Sequence, residues 1–178
     1  QKFVMGVPLY RQEQDWKRQG ILLSRQTMSN WLLRCSEEWL EPVYDALGKK
    51  LLARQVLHAD ETVVQVLREP GRAAQSKSYM WLYRTSGDAA LAIVLMEYQQ
   101  GRGSEHPLRF LEGFEGYLHT AGHKAYHTLP ENIVTVGCWA HVRRNFPEAL
   151  QLIPQDQRDG TGPFIGKRFC ARLSAIAR

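Results

Sequence analysis

Val56-Leu57-His58-Ala59-Asp60-Glu61-Thr62-Val63-Val64-Gln65-Val66-Leu67 is the stretch on which the reading of this 178-residue chain turns. β-Branched residues crowd it, and they suit a pleated, half-buried surface better than a helix. A strand or strand pair is therefore predicted from Gln55 to Leu67. Inside it Asp60 is conspicuous. An ionised carboxylate is costly to bury unless a cation, a set of donors or an open cleft receives it, and a divalent metal is the receiver that best explains this one. Its neighbour Glu61 alternates to the opposite face of a strand.

Upstream, from Pro8 to about Leu52, apolar residues recur three and four apart without β-branched runs, the period of helices. Tyr10 to Gln19 reads as one helix stopped by Gly20, and Ser24 caps a second over Arg25 to Leu33. A third is expected from about Trp31 through Trp39 to Leu52, with Pro42 at a boundary or kink. Two short helices around a glycine turn make a helix-turn-helix candidate. In it Arg25, Gln26, Ser29 and Asn30 stand near the start of the second helix, with side chains able to contact phosphates and base edges; any amphipathic hairpin also carries polar residues on its outer face.

Downstream, Ser78 to Thr85 and Ala89 to Tyr98 read as strands joined by a Ser86-Gly87-Asp88 hairpin turn. Pro70 to Lys77 reads as a polar loop, with Arg72 and Lys77 facing solvent. A helix from Glu105 to Phe114 follows, capped by Ser104, with Pro107 in its first turn. Then come a strand at Gly116 to Thr120, a short helix at Lys124 to Leu129, and a strand at Ile133 to Cys138 leading into a helix. An antiparallel meander continued by parallel β-α units is the ribonuclease H-like pattern: a five-stranded mixed sheet flanked by helices. The expected domains are a helical segment at 1–52 and an incomplete catalytic domain at 53–178.

Composition adds limits. With 23 Lys and Arg against 18 Asp and Glu, the formal charge is +5, compatible with a polyanionic partner. Cys35, Cys138 and Cys170 are too few and too dispersed for a disulfide scaffold or zinc knuckle, and read as reduced core thiols. Nothing approaches the length of a membrane span, and no signal-peptide core opens the chain, so the cytoplasm is the expected compartment, with nucleoid association when DNA is bound.

Several blocks, in one order, carry a family resemblance. They are Leu57-His58-Ala59-Asp60-Glu61-Thr62, Glu69-Pro70-Gly71-Arg72, Lys77-Ser78-Tyr79-Met80-Trp81, Phe110-Leu111-Glu112-Gly113-Phe114, and Gly137-Cys138-Trp139-Ala140-His141 with Arg143-Arg144. Together they closely resemble the central region of insertion-sequence-66 bacterial transposases, as do Pro8-Leu9-Tyr10-Arg11-Gln12-Glu13 and Leu23-Ser24-Arg25-Gln26-Thr27 upstream. The resemblance implies a DDE enzyme in which two Asp and one Glu hold divalent ions, usually magnesium, for phosphodiester cleavage and strand transfer at transposon ends and target DNA. Asp60 matches the first Asp of that triad, as catalytic residue and metal ligand.

The resemblance also exposes a gap. The second Asp is expected in Tyr117-Leu118-His119-Thr120-Ala121-Gly122, where Ala121 stands, and the family's Glu lies downstream of anything that matches here. The chain is thus expected to be a truncated, degenerate copy in which magnesium is not productively bound. Asp88, Glu97 and Glu115 are placed by no element near Asp60 and replace neither ligand. The remaining expected partners are a second copy or a full-length transposase.

His141, Arg143 and Arg144, at the start of the helix after the fifth strand, are the other expected DNA contacts, with Trp139 and Phe146 anchoring that helix in the core. A solvated face with Arg paired to Glu148 is the plainer alternative. His119, His123 and His127 are spaced four apart, but Gly122 interrupts any shared helix, which weakens a zinc hydrolase. Trp31, Trp39, Tyr79, Trp81 and Tyr83 read as packing residues. The choice left by the sequence is between a transposase fragment inactive alone and a non-catalytic DNA-binding remnant.

Overall fold

A computed structural model describes residues 1–87 and 90–142 of the chain. The structure divides into two compact units, Gln1–Lys49 and Lys50 onward.

The first unit is helical. Helix α1 spans Leu9–Arg18 and α2 Arg25–Cys35, joined through Gly20 in the left-handed conformation (φ +81°). Ser24 caps α2 as expected, its hydroxyl accepting from the Thr27 amide at 3.1 Å. The expected break near Trp31 is absent. Instead α2 runs on through a π-helical turn, Ser36–Leu40, into α3, Glu41–Leu52. Pro42 supplies the reason: it lacks an amide hydrogen and its ring crowds the carbonyl four residues back, so one turn widens rather than breaks. Trp31 and Trp39, expected in the core, are exposed; Met28 is the residue α2 buries, and so short a helical unit has too little interior for its indoles.

The second unit is built on five strands: β1 (Val56–Gln65), β2 (Lys77–Thr85), β3 (Val94–Gln99), β4 (Gly116–Thr120) and β5 (Ile133–Gly137), in the order β3-β2-β1-β4-β5. β1 to β3 pair antiparallel, and β1, β4 and β5 run parallel. This is the ribonuclease H-like architecture that the order of elements predicts. The register sorts residues onto two faces, because directly paired residues point the same way and neighbours alternate. Leu57, Ala59, Trp81, Tyr83, Leu95, Leu118 and Ile133 share one face, and all are buried. Leu111, Phe114 and Tyr126 are buried too, and the Phe110 ring stacks on Tyr83 at 3.7 Å, bringing helix α4, Glu105–Phe110, onto that face.

Several boundaries differ from expectation. β3 begins at Val94 rather than Ala89, because Thr85 closes the loop early: its amide donates to the Ile93 carbonyl and its hydroxyl accepts from the Ile93 amide. α4 ends at Phe110 and Ser104 makes no side-chain cap; the 124–129 helix is a single 3-10 turn, Lys124–Tyr126, capped by His123. Arg72, expected to face solvent, is only partly exposed. It donates to Glu69 and Ser78, which with the Tyr98 hydroxyl bind the 66–76 loop to the sheet. The Tyr98 hydroxyl, followed by the opposing effect of burial, dominates the environment of the Glu69 carboxyl and leaves its pKa below the ordinary value.

Candidate functional site

Asp60 lies on the other face of β1, together with Val56, His58 and Thr62. It is mid-strand, and its importance comes from its parallel neighbour. The β1–β4 pairing ends at His58↔His119, and carrying that register two residues further sets Asp60 beside Ala121. There β4 stops. Gly122 adopts φ +83°, a left-handed turn that only glycine enters without strain, and its amide donates to the Thr120 hydroxyl at 3.2 Å. The β1–β4 pairing ends here, and a cavity of about 170 Å³ lies beside its end.

Its lining comes from four separate parts of the chain: His58 and Asp60 from β1, Arg84 from β2, His119 and Thr120 from β4 with Ala121 just after it, and Cys138 with His141 after β5. Parallel pairing places the His58 and His119 rings in a stack with centroids 4.7 Å apart. The Cys138 amide donates to the Thr120 carbonyl at 2.9 Å, and the Cys138 carbonyl accepts from His141 and Val142 as a helical turn begins. That turn carries His141 Nε2 to 3.8 Å from Asp60 Oδ2. Asp60 Oδ1 accepts from the Glu61 amide at 2.9 Å.

Glu61 has a different duty. Its side chain is 0% exposed against 49% for Asp60, the sign of a structural acid beside an accessible one. It accepts from Arg102 and, at 2.7 Å, from the Tyr126 hydroxyl. Burial, then the charge of Glu61, raises the Tyr126 pKa. Burial first and Arg102 second lower that of His123, which lies on this side of the sheet and accepts from the Ala125 amide.

The resemblance implies a magnesium centre, and its donor set can be tested here. Asp60 offers one accessible carboxylate; Ala121, at the place of a second, offers a methyl group. Among the described residues no group of three His, Cys, Asp or Glu can hold a metal ion. A hard divalent cation prefers several oxygen ligands, so these residues do not fit a two-magnesium centre. Glu97, ion-paired with Arg109 on the covered face, does not repair it, and Asp88 lies outside the described residues.

The other predicted residues separate. Arg25, Gln26 and Asn30 are exposed on the first turns of α2, where Gln26 donates to Asn30 at 3.0 Å and Arg25 lies over the Tyr10 ring. His141 enters the Asp60 cavity, whereas Arg143, Arg144, Phe146, Glu148 and Cys170 lie outside the described residues. Trp139, expected as a core anchor, is exposed, and so is Cys35, a free thiol at the end of α2. His119 faces the cavity while His123 caps the 3-10 turn, as their interrupted spacing implies. Arg84 is a lining residue that sequence reasoning passed over; only its pairing opposite His58 reveals it.

With this geometry in hand, the chain matches the model described as "Transposase IS66 family" over residues 1–167. The chain belongs to the IS66 transposase family. It is 34% identical over 158 residues to the uncharacterized protein y4qI of Sinorhizobium fredii, covering 82% of this chain and 29% of that protein. It is 30% identical over 176 residues to y4jD of the same organism, covering 85% of this chain and 34% of that one. The chain therefore spans about a third of the length of these relatives. No solved structure matches it. Among the described residues no helix is long and apolar enough to cross a membrane.

Proposed function

We propose that this IS66-family chain retains the DNA-handling framework of a DDE transposase but does not by itself cleave or join DNA. The observation that carries this reading is Ala121 beside Asp60. Two-metal phosphoryl chemistry needs several carboxylates to hold its ions, and a methyl group at 121 leaves Asp60 without a second one beside it. DNA contact rests on the net charge of +5 and on Arg25, Gln26 and Asn30 at the start of α2, read as a helix-turn-helix within a 1–52 segment, with His141, Arg143 and Arg144 adding to it from the 53–178 catalytic domain.

The test is an assay of cleavage and joining on labelled transposon-end DNA in magnesium or manganese. No product is expected. A metal-dependent product that disappears in D60A would overturn the proposal. Anisotropy titration of the same DNA at low salt is expected to show binding that weakens steeply as salt rises.

A further inference from the structure

The arginines of the second unit separate into two groups. Among the described residues Arg72 is held by Glu69, Arg102 by Glu61 and Arg109 by Glu97. Among the described residues no ion pair involves Arg54, Arg68 or Arg84. Of these three, Arg84 lines the Asp60 cavity. It is exposed, paired across from His58 in the β1–β2 register, and therefore on the face that Asp60 occupies. Arg54 lines a cavity of about 350 Å³ with Val56, Thr85 and Ser86, at the start of the same strand, and its buried Nε has no hydrogen-bond partner.

Three features make the Asp60 cavity receptive to an anion. Among the described lining residues Asp60 is the one acid, and His141 Nε2 stands 3.8 Å from it. Ala121 contributes no negative charge where a carboxylate would repel phosphate. A guanidinium presents a fork of donors matched to phosphate oxygens and holds its charge at any accessible pH.

We propose that Arg84 is a phosphate contact for a nucleic-acid backbone at the mouth of the Asp60 cavity, acting without a metal. The inference rests on the DNA-binding reading above and names the residue on the catalytic face that carries it.

The experiment compares the 178-residue chain with R84Q, R84K and R109Q, using anisotropy of a fluorescein-labelled DNA duplex across a salt series. R109Q removes the same charge from the covered face and serves as the control. R84Q is expected to bind about tenfold more weakly, with the slope of log K against log salt shallower by about 0.9, one phosphate contact fewer. R84K is expected to keep the slope and lose part of the affinity, since a point charge replaces the fork. R109Q should match the parent. Equal affinity and slope in R84Q and R109Q would overturn the assignment while leaving DNA binding intact. No binding by the parent chain would overturn both, so the two failures are distinguishable. Arg84 is exposed, and unchanged circular dichroism and melting of R84Q confirm that the readout concerns binding.

Discussion

Asp60 and Ala121 make the sharpest statement at the scale of single residues. They meet because β1 and β4 are parallel and in register, so restoring a carboxylate requires no movement of backbone. A121D is expected to be less stable than the parent in the absence of metal, by roughly 0.5–1 kcal/mol from like-charge repulsion with Asp60, and to gain manganese affinity. At about ten times the dissociation constant the ion should return about 1.4 kcal/mol. Thermal melting with and without manganese checks this, and identical responses in A121D and the parent would show that Ala121 does not face Asp60. Tyr126 gives a second prediction. Its raised pKa means that both folded and unfolded chains keep the phenol protonated below pH 10, where its contribution to stability is whole. As pH rises past that value the unfolded chain ionises first, and stability falls. Urea midpoints at about pH 9 and about pH 11 should show a steeper alkaline loss in the parent than in Y126F.

Among the elements, the long helix from Arg25 to Leu52 offers a direct test of the account given for Pro42. P42A restores the missing donor, and an increase of roughly 1–3 kcal/mol in unfolding free energy is expected, with higher helical ellipticity. No change would mean that the widened turn has another origin. Element types were legible in the sequence where composition is one-sided: the β-branched run of β1, the aromatic alternation of β2, the Ser24 cap. Boundaries were not, where tertiary bonds decide them. Thr85 ends β2 by bonding to Ile93 eight residues on, and no local pattern announces that pair. The site was half legible for the same reason. Asp60 and Ala121 could be found by matched blocks, whereas Arg84 becomes a neighbour of His58 only through an antiparallel register.

For the whole molecule, the two units place the division at Lys49–Lys50, three residues before the 53–178 domain expected from the sequence. Leu51 lies between the two boundaries and is fully buried. A fragment beginning at Lys50 is therefore expected to be more stable than one beginning at Ala53 by about 2–5 kcal/mol, the range for deleting a core leucine. Equal denaturation midpoints would support the later boundary. The opposed acids of β1 carry one last consequence, which concerns inheritance rather than chemistry. Because Glu61 braces the interior and Asp60 faces the cavity, the two positions tolerate change unequally: substitutions at Asp60 are expected to leave the sheet intact, and substitutions at Glu61 to threaten it. Descendants of this chain are thus expected to vary more freely on the Asp60 face than on the Glu61 face, where the Tyr126 hydroxyl holds the carboxylate in place.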